Sequence, residues 1–297
     1  MKKKLTILIV TFKTNKKILY RCLSSIKKDI KIIIVENSKK FENEDFFKRK
    51  FKNIKIFCTG LNLGYGGGNN YGLKKIKTKY ALILSPDVFC SKNFFKNLKN
   101  HLNNPRNFHL IGCNDSKNSK MGSAGFFNNK NNYRNNEKKY LDKYNKLIRV
   151  DWIKGFSVII NLKKFKNRDI FDQNFFLFME EIDLCMSIYN KKGNVYFARD
   201  LLVKHLGFRS SFGLSKLEKQ KSSNIKNWHY MWSSFYFYKK NYSFYFALKK
   251  MSGKLIRSFI KTIFYFLTLN KIKRDKYKFR FLGILHSILG LSSNFRS

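Results

Sequence analysis

Glu180, Glu181 and Asp183 follow the apolar run Phe175-Phe176-Leu177-Phe178-Met179 at what reads as the first turn of a helix. The chain holds 62 Lys and Arg against 18 Asp and Glu. Three acids gathered behind a buried run in so basic a chain point to proton transfer or hydroxyl binding. The same residue types also suit any helix start, where they meet unpaired N–H groups and the positive end of the dipole, so this segment alone leaves both roles open. A second candidate lies between Gly60 and Asn70, where Asn62, Gly64, Gly66-Gly67-Gly68 and Asn69-Asn70 crowd into one turn. Glycines entering a helix let backbone N–H groups approach a phosphate closely, and the two asparagines can donate to the same ligand. The spacing matches neither the Walker loop nor the dinucleotide fingerprint.

The elements that must position these groups alternate in type. Continuous β-branched runs at 6–10, 30–35, 54–57 and 80–84 read as strands, and 18–26 has helical spacing. Strands apolar on both faces and joined by helices imply a parallel sheet covered on both sides, with ligands at the carboxyl ends. Those ends are polar: Thr11 after the first, Glu36-Asn37-Ser38 after the second, the glycine-rich segment after the third, Ser85-Pro86-Asp87 after the fourth. One edge of the sheet collects them all.

At 297 residues, 43% hydrophobic and 17% aromatic, the chain can hold one large α/β domain and a smaller appendage. Its net charge of +44 would ordinarily suggest nucleic acid or an anionic membrane. Lysine is spread along the whole length beside Asn, Ile, Phe and Tyr, so nucleic acid is not the expected partner and an anionic membrane surface is the better one. Cys22, Cys58, Cys90, Cys113 and Cys185 are widely separated and form no Cys-x-x-Cys pair, which suits core thiols in a reducing compartment. The apolar run after Met1-Lys2-Lys3-Lys4 is short and ends at Lys13 without a small-residue cleavage site, so it reads as a buried strand and not a signal peptide. The polar stretch 114–145 is expected to be a mobile loop.

From residue 212 the character changes. Residues 228–240 form an aromatic, basic block, and 255–269 interleave Ile, Phe and Leu with Lys and Arg. No spanning segment is expected, because Lys254, Arg257 and Lys261 interrupt the run. Two readings stand side by side: amphipathic helices along an anionic leaflet, or a helical bundle with a solvated basic face.

Taken in order, Ile9-Val10-Thr11, Val35-Glu36-Asn37-Ser38, Asn62-Leu63-Gly64 through Leu73, Ser85-Pro86-Asp87-Val88, Asp151-Trp152-Ile153-Lys154-Gly155, the 175–185 segment, and Val203-Lys204-His205-Leu206-Gly207 with Ser210-Ser211 resemble the family 2 glycosyltransferases, in particular their rhamnosyltransferase-like branch. The resemblance covers roughly residues 5 to 211. It implies a GT-A fold, a Rossmann-like, mostly parallel sheet flanked by helices, over 1–211, with a helical, membrane-associated or packed extension over 212–297.

The resemblance also implies roles. Thr11, Glu36 and Asn37 would hold the base and ribose of a pyrimidine nucleotide; Asn62, Gly64, Asn69 and Asn70 would lie near ribose and diphosphate. Asp87 and His205 would bind Mg²⁺ or Mn²⁺ at the two phosphates. Glu181 would be the general base that activates an acceptor hydroxyl, while Asp151, Trp152, Glu180 and Asp183 would serve the acceptor side. The family generally carries Asp where this chain has Glu36 and Glu181, and Asn where it has Ser85. The expected function is inverting transfer of a sugar, rhamnose first among candidates, from a dTDP- or UDP-sugar to a glycan or lipid-linked acceptor on the cytoplasmic face of a membrane. The alternative is a non-catalytic protein binding RNA or anionic lipid on a degenerate GT-A fold.

Overall fold

The computed structural model describes residues 1, 3–103, 107–116, 122–127, 146–207 and 215–296. They fall into two compact units, one built on Met1–Leu63, Gly67–Phe171 and Leu184–Phe212, the other on Gly64–Gly66, Asp172–Asp183 and Gly213–Ser297.

The first unit is a mixed α/β layer structure. Its strands are β1 (Leu5–Thr11), β2 (Lys31–Glu36), β3 (Ile54–Cys58), β4 (Tyr80–Leu84), β5 (Val88–Cys90), β6 (Leu110–Asp115), β7 (Ala124–Gly125), β8 (Leu147–Val150), β9 (Trp152–Ile153), β10 (Ser157–Asn161) and β11 (Val195–His205). The main sheet runs β3-β2-β1-β4-β10-β6-β11-β5, with β8 against β11 and a separate β7-β9 pair. β1, β2, β3 and β4 are mutually parallel, and β6 and β11 share their direction, whereas β10, β8 and β5 run against their neighbours. The expected α/β sheet is therefore present, and the antiparallel β10 is the hinge between its halves.

The strands form where the β-branched runs predicted them because both faces are covered. Ile7, Leu8 and Ile9 of β1 and Leu82 and Leu84 of β4 are wholly buried, and Phe47, Phe94 and Phe108 pack into the same core. The parallel register sets Thr11 beside Glu36 and, on the other half, Val203 beside Asp115, while the antiparallel pairing of β11 with β5 sets His205 beside Val88. Thr11, Glu36, Asp115 and His205 thus all finish strands at the same sheet edge.

Two expectations are corrected here. The glycine-rich segment is a helix, Gly64–Leu73, and not a loop. A Cβ at Gly72 would strike Leu8 and Val35, and one at Gly68 would strike Val10 and Asn37, so these glycines bring the helix backbone down onto β1 and β2. The stretch expected to be one loop holds the end of β6 at Asn114 and Asp115 and the short β7; residues 117–121 and 128–145 lie outside the described residues, as do Ser210 and Ser211.

All five cysteines are free. Burial pushes the Cys113 thiol up to about 12, which makes it an inert packing group.

The second unit is helical: Lys216–Asn241, Phe244–Leu267 and Lys271–Ile288 follow one another through short turns. Ser215 and Glu218 form a reciprocal capping box, and Ser243 and Asn270 cap the next two helices. Met231, Phe235, Ala247, Met251 and Ile284 make the core. Gly283 lets its helix touch the Trp228 carbonyl, where any Cβ would collide. No described helix is long and apolar enough to cross a membrane.

The C-terminal segment docks on the first of these helices: Phe295 packs on Trp228 and Phe279, and the Trp232 indole donates to the Leu291 carbonyl at 2.9 Å. His229, fully buried, contacts the Phe295 carbonyl through Nε2 at 2.8 Å and the Ser293 hydroxyl through Nδ1 at 3.1 Å. A carbonyl only accepts, so Nε2 of His229 carries a proton. Burial lowers its pKa to about 4, with the nearby Arg296 charge adding to the effect.

The unfolded chain takes up this proton first, so stability is expected to fall as pH drops from the ordinary histidine value toward about 4, by about 3 kcal/mol in all. Denaturant midpoints across that window should slope with pH in the native sequence and lose that part of the slope in His229→Asn.

Candidate active site

At the carboxyl edge of the first unit, Glu36 is buried and its carboxylate accepts from the Thr11 hydroxyl at 2.6 Å, the Lys13 N–H at 3.1 Å and the Ser38 hydroxyl at 2.7 Å. A carboxylate offers about four lone-pair directions. Three are taken, so Glu36 chiefly fixes the ends of β1 and β2 and keeps one direction for a ligand donor. Thr11 and Asn37 are buried beside it, and Asn62 is half-buried.

Asn69 and Asn70 are buried in the glycine helix. The Asn70 amide donates to the Phe171 carbonyl at 2.8 Å and accepts from the Phe171 N–H at 3.0 Å. That amide holds the backbone near Phe171.

Asp87 closes the turn after β4, where the Val88 N–H bonds to the Ser85 carbonyl. Its carboxylate is buried, with Oδ1 3.5 Å from Nε2 of the half-buried His205. The imidazole lies over the Phe156 ring at 4.8 Å, and the backbone of Leu206 donates to the Asp87 carbonyl. β5 and β11 pair at Val88 and His205, so the sheet itself brings Asp87 and His205 together across more than a hundred residues. A hard oxygen and an imidazole aimed at one space suit Mg²⁺ or Mn²⁺, whose remaining coordination positions phosphate oxygens and water can fill. Among the described residues no set of three or more such side chains is arranged to hold a metal.

Asp115 went unread in the sequence. It ends β6, is buried, and its Oδ1 accepts from the His205 N–H at 3.4 Å. Its signal was the pattern of Asp87 repeated, an acid closing an apolar strand run at the ligand edge.

Asp151 and Trp152 stand at the β7-β9 pair. The Asp151 carboxylate accepts from the Phe127 N–H at 3.0 Å, and burial raises its pKa. Trp152 lies flat on Gly125, where a Cβ would meet the indole, and donates to the Phe126 carbonyl at 3.4 Å. Both remain half-exposed, as an acceptor-binding role requires.

The carboxylate segment belongs to the second unit up to Asp183. The helix Glu180–Asn190 begins where the sequence predicted, and it is preceded by two consecutive left-handed residues, Phe178 at φ 70° and Met179 at φ 71°. For non-glycine residues such a backbone costs on the order of 1–3 kcal/mol each and survives only under restraint. The restraint is visible. The Ser233 hydroxyl donates to the Leu177 carbonyl at 2.8 Å, Phe178 packs edge-on to Tyr230, and Phe176 sits between His229 and the Arg296 guanidinium, 3.4 Å above its ring. Gly64, at φ 75°, packs directly on the Phe176 carbonyl, which also accepts from the Tyr65 N–H. Gly64 is therefore required by this contact.

The three acids have different surroundings. Glu180 is buried, its Oε1 has no hydrogen-bond partner among the described residues, and burial together with the adjacent Glu181 charge raises its pKa well above the ordinary value. Glu181, next to it, is half-buried. Asp183 is buried and fully engaged: Lys240 Nζ lies 2.6 Å from its Oδ2 and Asn241 Nδ2 2.9 Å from its Oδ1. Lys240 also reaches Asp172 at 2.7 Å. Burial alone would raise the Asp172 pKa, but the bonds from Lys240 and Asn174 outweigh it and the net shift is downward.

Asp183 thus ties the helix start to the helix that carries Lys240 and Asn241. Lys240→Met should strip both acids of their cation and cost about 2 kcal/mol, less than a fully buried pair because Lys240 stays partly solvated. Thermal melting checks the loss, and Lys240→Arg should recover part of it.

The family model described as glycosyl transferase family 2 matches residues 6–181. No curated protein sequence matches. Among solved structures, GalNAc-T7 with UDP, GalNAc and Mn²⁺ is similar with TM-score 0.53 and 13% identity over 85% of this chain; the chain spans 57% of that protein. The mannosyltransferase PcManGT from Pyrobaculum calidifontis, in complex with GDP-Man and Mn²⁺, gives 0.54 and 8% over 98% of this chain and 88% of its own. S. aureus TarS 1-349 with UDP-GlcNAc gives 0.51 and 11%, over 97% and 92%. At such identities these likenesses establish the GT-A fold.

Proposed function

This chain belongs to glycosyl transferase family 2, and we propose that it is an inverting, metal-dependent enzyme that moves a sugar from a pyrimidine nucleoside-diphosphate donor to a glycan or lipid-linked acceptor at the cytoplasmic face of a membrane. The observation that carries the proposal is the buried Asp87 carboxylate 3.5 Å from the His205 imidazole, at the sheet edge where Thr11 and Glu36 also finish their strands. A degenerate fold serving only to bind RNA or lipid has no use for a buried acid beside a half-buried imidazole at that edge. Rhamnose is the first sugar to try, on the strength of the motif resemblance.

In the proposed reaction the acceptor hydroxyl attacks the anomeric carbon from the side opposite the diphosphate. Its proton passes to Glu181, the new C–O bond forms, and the bond to the β-phosphate oxygen breaks with its electron pair leaving on the nucleoside diphosphate. A divalent ion held by Asp87 and His205 would neutralise charge on that leaving group. Burial and the adjacent Glu181 charge favour the protonated form of Glu180, which can donate a hydrogen bond. Asp151 and Trp152 offer a carboxylate and an aromatic face for the acceptor sugar.

The test is a thermal-shift and calorimetric screen against UDP, dTDP, GDP, CDP and their common sugars, with and without Mn²⁺. Metal-dependent stabilisation by UDP or dTDP compounds is expected, since a ligand that binds only the native state raises its melting midpoint. Silence across the panel would overturn the proposal.

A further inference from the structure

The helix Phe244–Leu267 has three faces, and folding accounts for only one of them. Ala247, Met251 and Ser258 are buried in the unit's own core. Ile256, Ile260, Ile263 and Leu267 recur at i, i+4, i+7 and i+11 on another face, all exposed, with Leu267 at 72%. Lys250, Lys254, Arg257 and Lys261 repeat the same spacing about 120° round the helix, between the packed face and the exposed apolar one. An amphipathic helix needs one apolar stripe to join a core; a second, left in water and bordered by a row of cations, answers to something outside the unit.

The turn that follows points the same way. Leu269 is 89% exposed and sits at φ 53°, a left-handed position where glycine or asparagine ordinarily relieves the strain. A leucine there gains nothing from folding, neither backbone ease nor burial. Beyond it Lys271, Lys273, Lys276 and Lys278 are exposed, and the one acid of that helix, Asp275, is paired with Arg274.

We propose that this apolar stripe and the Leu269 turn dock onto an anionic lipid bilayer, with the helix lying in the plane of the headgroups. The apolar side chains enter the acyl boundary while the lysine row meets lipid phosphates, an arrangement open to a helix that is too short of apolar residues to cross. Charge selects the bilayer over a second copy of the chain: a two-fold contact would set the same cation row against itself. The surface contains none of the residues assigned to transfer, so it stands or falls apart from the proposed reaction.

The experiment is co-sedimentation of the full chain with vesicles of phosphatidylcholine alone and of phosphatidylcholine mixed with phosphatidylglycerol. Binding is expected only to the anionic vesicles and should weaken as salt is raised. Ile260→Glu combined with Leu267→Glu should weaken vesicle binding on the order of tenfold or more, with melting midpoint and UDP or dTDP affinity unchanged. Leu269→Gln gives a second variant at a position too exposed to matter for folding, and Lys250→Glu with Lys254→Glu should remove the preference for anionic lipid. Equal binding to both vesicle types, no binding to either, or variants that bind like the native chain would overturn the proposal. So would concentration-dependent dimerisation abolished by the Ile260 and Leu267 changes without any vesicle binding.

Discussion

Glu181→Gln is expected to lower turnover by on the order of 10²–10⁴-fold, the range a general base contributes, while leaving nucleotide-sugar affinity as it is. The substitution keeps the side chain's size and removes only its ability to take a proton. Glu181 is also the most exposed of the three acids. Asp183 is tied to Lys240 and Asn241, so its loss disturbs the helix start, and Glu180 is buried, so its loss alters packing. Single-turnover transfer with saturating donor, alongside donor titration by calorimetry, separates chemistry from binding. If the glutamine variant turns over at the native rate, Glu181 is not the base; if both binding and rate collapse, the 175–183 segment has lost its shape.

Asp87→Asn is expected to abolish the metal-dependent part of donor binding and to lower kcat/KM by on the order of 10²-fold, equivalent to about 3 kcal/mol of leaving-group stabilisation. Asparagine keeps a polar group beside His205 and takes away the charge. The readout that tells metal loss from misfolding is the Mn²⁺ increment in the donor thermal shift: it should vanish, whereas the melting midpoint without ligand should stay within a few degrees of the native one. A variant that keeps its full Mn²⁺ increment would move the metal away from Asp87 altogether, with Asp115 the next buried acid at that edge.

Much of this was legible in the residues because it is locally encoded. The first four strands and the helix start at Glu180 fall within a residue or two of their expected places, since β-branched runs buried on both faces and an abrupt change from apolar to acidic both act at short range. The gathering of Thr11, Glu36 and Asp87 at one edge followed from a single rule, that parallel strands present their carboxyl ends together. The glycine-rich segment was misjudged for an equally physical reason. Glycines signal turns by composition, yet here they serve close packing of a helix on Leu8, Val10 and Val35, and composition cannot tell conformational freedom from missing side-chain bulk.

By itself, then, the sequence determined the α/β layering, the polar sheet edge, the acid-bearing helix start and the basic helical C-terminal region, all of which depend on pattern within a few turns of chain. The tertiary structure decided what each polar group is free to do. Asn70 is spent on Phe171, Asp183 on Lys240, and most of Glu36 on Thr11, Lys13 and Ser38. Only the fold paired Asp87 with His205, added Asp115 to their strand edge, and held Phe178 and Met179 in the left-handed region. The reason is the same in every case: a hydrogen bond, a desolvation cost or a restrained backbone depends on partners tens of residues away, and local pattern carries no record of which distant partner arrives.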